Sequence, residues 1–145
     1  MLSYFMGLVR GIGFNNGQYN FIGVHDTIEV DNFPGFADVQ FLMVDECDIT
    51  DVGQIFWPEI QIVDMDGRGL LEKPYSKAFS SGESPQGYMI GKMFMHVTFK
   101  NVPFDKPGDY FMHVKCLNQV VPMRFFVRQR TSEPHLPNIV AQDSV

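Results

Sequence analysis

The stretch that decides the fold runs from Asn101 to Val114 and reads "NVPFDKPGDYFMHV". Pro103 and Pro107 stiffen the connection, because a proline ring fixes one of the two backbone angles of its residue. Gly108 follows them and can adopt backbone angles that other residues adopt only at a cost. The segment therefore predicts a firmly shaped corner that leads into a β-strand.

Tyr110 opens the strand that follows this corner, and apolar and polar side chains alternate as far as Cys116. This alternation is typical of a half-buried strand. In immunoglobulin-like sandwiches, a tyrosine at such a corner donates its hydroxyl hydrogen to the backbone a few residues upstream. We predict this role for Tyr110, with Pro107 and Gly108 shaping the corner.

The rest of the chain also has a period of two, and no long window has the period of an amphipathic helix. The predicted strands cover residues 5–13, 20–30, 36–47, 54–64, 70–79, 88–100, 110–116 and 120–128. Turn signals separate them at intervals of about ten residues, which is typical of sandwiches and barrels. The sequence therefore predicts an all-β protein, an immunoglobulin-like β-sandwich of about eight antiparallel strands.

The first hairpin is predicted from "NNGQ" at residues 15–18, where Asn-Gly suits a tight two-residue turn. This turn pairs Val9 with Val24 and Gly11 with Ile22. We expect these four residues to lie on the inner face of the fold.

The last hairpin is predicted to turn at Asn118-Gln119. This register points the apolar set of both strands inward and places Phe111 opposite Phe126 and His113 opposite Arg124 on the outer face. Two further residues, on the preceding strand, fall outside its core-facing alternation. The candidate interface therefore comprises Phe111, Phe126, Arg124, His113, Ile90 and Phe94. Several exposed apolar residues on one sheet indicate an interface or a docked chain end, whereas scattered exposure is the competing interpretation.

Composition predicts one domain in these 145 residues, with a β-sandwich at 1–130 and a flexible C-terminal tail at 131–145. The net charge of −6 argues against a nucleic-acid groove and against binding to an anionic membrane surface. The apolar N-terminal run stops at Arg10 and lacks the features of a secretion signal. We therefore expect a cytoplasmic protein.

Two acidic segments raise the question of a metal site. The "DMDG" segment at Asp64–Gly67 opens like a calcium loop, but position twelve is Tyr75 instead of an acid. A tight Asp-Gly hairpin turn is therefore favoured there. The segment "DECDITD" at residues 45–51 gathers four acids, for which a solvated loop is favoured over a cation site. We expect neither a metal nor a cofactor.

No catalytic arrangement is evident among the nucleophiles and histidines. Nearby carboxylates are expected to raise the thiol pKa of Cys47, which disfavours a nucleophilic role, and Cys116 falls on the core side of its strand. The four histidines have no metal-binding spacing, and we expect them on the outer surface.

Three segments together resemble a known family: "NFIGVHDTIEVDNFPG", "PEIQIVDMDGRGLL" and "FKNVPFDKPGDYFMHVKCLNQV". The likeness covers residues 7–128 and is to a bacterial family of unknown function, DUF6941. The resemblance implies a small single-domain β-sandwich and no catalytic residues. The extension after Arg130 departs from the compact members of that family.

These observations favour a non-enzymatic binding or assembly module that uses a sheet face or edge to bind a protein partner or a second copy of itself. The alternative is a small-molecule binding protein or an enzyme with its site in the loops at one end of the sandwich. A cleft that gathers Asp45, Asp64 or a histidine would favour the alternative, and an aromatic face buried in a subunit contact would favour the first hypothesis.

Overall fold

The computed structural model describes residues 2–48, 53–80 and 90–131, and these contain strands and turns but no helix. The strands are β1 Leu2–Leu8, β2 Gly11–Asn15, β3 Gln18–Ile22, β4 Thr27–Val30, β5 Gly35–Asp48, β6 Ile55–Phe56, β7 Glu59–Val63, β8 Tyr75–Ser76, β9 Phe79–Ser80, β10 Ile90–Phe104, β11 Gly108–Cys116 and β12 Gln119–Gln129. The predicted all-β class is confirmed. The predicted tail lies outside the described residues, apart from its first residue, Thr131.

Two main sheets and two short ribbons make up the described fold. The three-stranded sheet has the order β1-β5-β10, and the five-stranded sheet has the order β4-β12-β11-β7-β8. The ribbons are β2-β3 and β6-β9. The expectation that every pairing is antiparallel is wrong, because β4 runs parallel to β12. These two strands are almost a hundred residues apart in the chain, so no turn signal could reveal how they pair.

One hydrophobic core joins the two main sheets. Phe41 and Phe104 come from the three-stranded sheet, and Ile60, Met112 and Phe125 come from the five-stranded sheet. All five side chains are at most 2% exposed. The long strands of both main sheets contribute alternate residues to this core, as the period of two predicts.

Several predicted strands are divided in the structure. The first ends at Leu8 and resumes at Gly11, and the fourth is interrupted at Trp57-Pro58. Pro58 separates β6 from β7, which pair with strands of different sheets. A proline cannot donate to a strand ladder, so a change of sheet at this position leaves no ladder bond unmade.

The "NNGQ" hairpin has the predicted register, with Gly11 paired to Ile22. Its expected inward orientation is wrong for Ile22 and Val24, which are 57% and 56% exposed. The hairpin leaves the sheet after Val9 instead of continuing along the core.

The same hairpin covers part of the outer face of the three-stranded sheet. Leu42 and Val44 alternate with core residues of β5, and they are buried against Val9 and Ile12. The ring of Phe21 on β3 lies 6.0 Å from the ring of Phe94 on β10. Part of the outer face of the three-stranded sheet is therefore covered by the β2-β3 hairpin.

The last hairpin turns at Leu117-Asn118, one residue earlier than predicted. Both residues have positive φ angles, 50° and 63°, as a two-residue turn of this kind requires. The pairing is shifted by two residues, so Met112 lies opposite Met123. A bulky leucine rarely adopts positive φ. The sequence therefore predicted Asn118 and Gln119, instead of Leu117 and Asn118, as the two turn residues. A two-residue shift leaves every side chain on its predicted face.

Candidate functional site

The corner before β11 is closed by Tyr110. Its side chain is 3% exposed, and its hydroxyl donates a hydrogen bond to the Lys106 carbonyl oxygen at 2.7 Å. Gly108 has a φ of +141°, outside the range that other residues readily adopt. Pro107 is exposed beside it. This is the hydrogen bond that the sequence predicts for a structural corner.

Aromatic packing holds the same corner. The Tyr110 ring lies 5.0 Å from the ring of Phe104 and 6.1 Å from the ring of Phe125. Burial raises the pKa of the Tyr110 hydroxyl, although its hydrogen bond to Lys106 opposes this effect. The hydroxyl therefore stays protonated and serves as a structural donor.

The outer face of the five-stranded sheet carries four residues of the predicted interface. Phe111 lies opposite Arg124 instead of Phe126, and His113 lies opposite Pro122. The predicted cross-strand pairs are therefore wrong, because of the earlier turn. Phe126 is 43% exposed, whereas Phe111 and His113 are half-buried.

The two remaining interface residues lie on the other sheet. Phe94 is on β10, where it contacts Phe21 of the hairpin. Ile90 begins the same strand, but its side chain lies outside the described part of the structure. The six predicted residues therefore belong to two sheets and do not form one continuous face.

Both carboxylate oxygens of Asp64 contact groups of the turn in which Asp64 lies. Its Oδ1 accepts hydrogen bonds from the backbone N–H groups of Asp66 and Arg68, both at 2.9 Å. Its Oδ2 lies 3.3 Å from Nε of Arg68. The Arg68 N–H, above all, holds the pKa of the Asp64 carboxyl below its ordinary value. Gly67 has a φ of +80° and donates its N–H to the Asp64 carbonyl at 3.0 Å. The segment is therefore a turn, as the sequence favoured, but it is centred on Met65-Asp66 instead of Asp66-Gly67.

Asp45 lies at the open end of the core. It is 3% exposed and borders a cavity of about 70 Å³ that Met43 and Cys116 also line. Burial, together with the charge of Asp45, raises the pKa of the Cys116 thiol. The cavity has room for only a few water molecules, and the thiol is held in its unreactive form.

The three described histidines lie on different segments of the fold. His25 Nδ1 is hydrogen-bonded to the Thr27 carbonyl oxygen at 2.9 Å, His96 is exposed on β10, and His113 is on β11. His135 lies outside the described residues. Within residues 2–48, 53–80 and 90–131, no group of three or more histidine, cysteine or acidic side chains is placed to hold a metal ion.

A groove of about 440 Å³ lies between β4 and the first residues of β5, and we call it the seam groove. Its lining residues are Val9, Arg10, His25, Thr27, Ile28, Glu29, Asp31, Phe36, Ala37, Asp38, Gln40 and Arg130. Its volume is within the range of roughly 300–1,000 Å³ that is usual for binding sites.

Most charges in the seam groove are already paired. Arg130 lies 3.7 Å from Glu29 and 3.3 Å from Asp31. Asp38 accepts a backbone hydrogen bond from Asn101 at 2.9 Å and lies 3.1 Å from Nζ of Lys100. These two groups, the Asn101 N–H first, lower the pKa of the Asp38 carboxyl.

One wall of the seam groove is an unpaired strand edge. On this side β5 pairs with β1 only as far as Leu8 opposite Phe41, and one further bond joins the Val9 N–H to the Gln40 carbonyl at 3.0 Å. Beyond it, residues 35–39 of β5 have no strand partner on this side within the described residues. We call this stretch the free edge of β5.

Backbone groups of the free edge point into the groove. Gln40 directs its carbonyl to this side, and alternate residues of a strand direct their N–H and C=O groups to the same side. Phe36 and Asp38 therefore face the groove with their backbone groups. Pro103 lies opposite Phe36 on β10, and because a proline has no N–H it cannot donate a backbone hydrogen bond to Phe36. Phe36 also exposes 69% of its side chain at the rim.

Sequence reasoning did not single out Arg10, Phe36 or Asp38. The predicted strands at 5–13 and 36–47 differ little in length, whereas in the structure β5 has 14 residues and β1 has only 7. A long strand beside a short one must leave part of its edge open or pair it with another strand. The chain alone does not show which of these occurs.

Comparison with known proteins gives a family but no function. No curated protein matches the chain. No helix among the described residues is long and apolar enough to cross a membrane. A family model of unknown function matches residues 13–122, which is most of the sequence. The chain therefore belongs to the family of unknown function DUF6941.

Proposed function

We propose that the protein is a non-enzymatic binding module built on an immunoglobulin-like sandwich, and that it binds an extended segment of a partner protein along the free edge of β5. The sandwich proposal is supported by two sheets that share one core, by the parallel pairing of β4 with β12, and by the corner at Tyr110. These features also occur in immunoglobulin domains.

The observation that carries the binding proposal is the free edge itself. Phe36 and Asp38 offer backbone donors and acceptors at the spacing of a strand, inside a groove of about 440 Å³. An extended segment that adds to a sheet edge gains affinity from such main-chain hydrogen bonds. Its alternate side chains then select among sequences.

The walls of the groove suit a strand of this kind. On the core side, Ile28 is buried and Ala37 is half-buried, which favours small apolar side chains in the segment. On the outer side, the exposed ring of Phe36 offers an apolar surface at the rim. A segment of alternating character matches both sides.

The test is selection of short linear peptides from a random displayed library on the full chain, followed by amide hydrogen exchange with a selected peptide. We expect the Phe36 and Asp38 amides to exchange quickly in the free protein and slowly in the complex. The amides of Ala37 and Val39 provide the matched control, because they point toward β10 and are protected in both states.

Two variants separate the backbone from the ring. Phe36→Thr keeps the N–H and removes the ring, whereas Phe36→Pro removes both. We expect F36P to lose peptide binding by at least about tenfold more than F36T, since each hydrogen bond contributes about 1 kcal/mol and proline also disturbs its neighbours. Failure to enrich any peptide, or protection confined to another surface, would overturn the proposal.

A small-molecule site in the same groove is the competing function, and the groove volume is compatible with it. The exchange experiment distinguishes the two functions. A small ligand would protect few amides of the edge, whereas an extended segment protects alternate residues along it.

Self-association through the outer face of the five-stranded sheet is a second candidate, favoured by the exposure of Phe126 near half-buried Phe111. The test is sedimentation of the wild type and of a Phe111→Glu, Phe126→Glu double variant. A dimeric wild type with a monomeric variant supports this candidate. Truncation after Arg130 shows whether the chain's own end contributes. A wild type that is monomeric at all concentrations rejects it.

A further inference from the structure

We infer that Arg10 binds a carboxylate of the segment that occupies the seam groove, so that the partner segment is acidic at one end. This inference rests on the proposed function and adds the chemistry of the ligand. Its basis is the position of the Arg10 side chain, the contact that supports it, and the absence of a carboxylate paired with it among the described residues.

Arg10 lies where pairing along β5 ends. The preceding residue, Val9, donates the last backbone bond to Gln40, and Arg10 itself donates its N–H to the Ile22 carbonyl at 2.9 Å. The chain turns away from β5 at this point, and the free edge begins beside it. A strand added along the free edge therefore has one end next to Arg10.

The hairpin leaves space for the Arg10 side chain. Gly23 has a φ of +63°, and a Cβ atom added to it would lie 2.7 Å from Cδ and 2.9 Å from Cγ of Arg10. The aliphatic stem of Arg10 thus lies directly over a glycine. This contact restricts the side chain before any ligand arrives, which lowers the entropy lost on binding.

The neighbouring charges leave Arg10 available. Arg130, on the other side of the groove, is engaged by Glu29 and Asp31, and Asp38 is engaged by Lys100. Within the described part of the chain, Arg10 forms no ion pair with a carboxylate. A carboxylate of the partner segment can therefore bind the Arg10 guanidinium without competing with a carboxylate of the described residues.

A carboxylate is the group that fits this arrangement best. The planar guanidinium presents paired N–H donors that match the two oxygens of a carboxylate. A segment with a basic side chain at this end would instead face an uncompensated positive charge. The partner is thus expected to carry glutamate, aspartate or its own C-terminal carboxylate near Arg10.

The experiment uses pools of immobilised hexapeptides that carry Glu, Gln or Lys at one defined position and mixtures at the others. The full-length wild type is compared with Arg10→Gln, Arg10→Lys and Gly23→Ala, after circular dichroism has shown that each variant is folded. We expect Glu pools at a terminal position to bind about tenfold more tightly than Gln pools, a typical gain for a charge-assisted hydrogen bond. R10Q should abolish this preference and still bind the Gln pools.

The remaining variants test positioning. R10K should retain only part of the preference, because an ammonium cannot make the paired contact, and G23A should reduce it by displacing the stem. Equal binding of Glu and Gln pools by the wild type would overturn the inference while leaving the proposed function in place. Binding of no pool at all would overturn both.

Two further arms identify other occupants. Inorganic phosphate that binds the wild type but not R10Q, with no preference among the pools, would make Arg10 a free-anion site and reject the acidic segment. Binding of Glu pools only after removal of residues 132–145 would assign the groove to the chain's own end and reject an external partner.

Discussion

Two exposed strand edges of this molecule differ in how freely they can pair with a strand of another chain. Phe126 of β12 donates its N–H to the carbonyl of Asp26, the residue before β4, and by alternation Pro122 and Arg124 face that same side. Before Phe126, β12 has no described partner there. On β5, Phe36 and Asp38 face the seam groove, and no strand of the described residues pairs with them there either.

The edges of β12 and β5 differ because β12 carries Pro122. Pro122 stands at a position whose N–H would point outward, so it removes a donor from the β12 edge. Prolines at such positions are one of the devices by which native sheets avoid pairing with other chains. The free edge of β5 has no proline at the corresponding positions 36 and 38. The fold blocks one edge and leaves the other able to pair, which supports a binding role for the second.

The outer edge of β10 follows the protected pattern. β10 is the last strand of the three-stranded sheet, and its register shifts between Phe99 and Val102. A bulge of this kind bends the strand and interrupts a regular ladder. Protection of an edge is therefore not confined to Pro122.

The largest expected effect comes from removing the proline of β12. Pro122→Val restores the missing donor on an edge that also carries exposed Val120 and Val121. We expect concentration-dependent self-association of P122V beyond that of the wild type, measured by sedimentation velocity. Pro103→Val is the matched control, since the bulge next to it persists. A P122V protein that sediments like the wild type would show that the proline does not protect the edge.

The next effect contrasts two prolines introduced into β5. Ala37→Pro removes a donor to β10 and should cost about 3 kcal/mol, because an acceptor is left unsatisfied and the strand is distorted. Phe36→Pro removes a donor to the groove and should cost less than about 1 kcal/mol. Urea denaturation of both variants measures the difference. Equal destabilisation would mean that Phe36 does not direct its N–H into the groove.

A smaller effect tests the rigidity of the corner that supports the β11–β12 hairpin. Tyr110→Phe removes the hydroxyl that binds Lys106 and keeps the ring between Phe104 and Phe125. We expect a loss of about 0.5–1.5 kcal/mol in the free energy of unfolding, with peptide binding unchanged. Selective loss of binding without loss of stability would contradict a purely structural role.

The turn after β7 predicts a pH dependence. Asp64 has a lowered pKa in the folded protein, so its charged form contributes stability above the unfolded value of about 3.9. This contribution is lost as the pH falls through the lower folded pKa. Unfolding curves between about pH 5 and 2 should therefore show a smaller decline for Asp64→Asn than for the wild type. Parallel curves would show that the Asp64 charge is immaterial.

The smallest effect is expected from metals. Because Asp64 is occupied by Asp66 and Arg68, adding calcium, magnesium or zinc should leave the melting temperature unchanged, whereas a cation bound only by the native state would raise it. A saturable rise with one metal that Asp64→Asn abolishes would show that this turn binds a cation.

Some features of the molecule follow from local sequence alone. The period of two predicts strands, Asn16-Gly17 predicts the register of the first hairpin, and "DMDG" predicts the turn at Asp64. The corner at Tyr110 belongs with them. In each case a few adjacent residues restrict the backbone so strongly that distant contacts change little.

Other features were decided only by the tertiary structure. The turn at Leu117-Asn118 is tolerated because the two-residue shift in pairing still buries the same faces of the strands. Sequence rules that consider one turn at a time favour Asn118-Gln119 instead. The parallel pairing of β4 with β12 joins residues about a hundred positions apart. The seam groove exists because β1 is too short to cover β5 and the chain departs at Arg10. Each of these depends on which distant surfaces meet, and local backbone preferences carry no information about that choice.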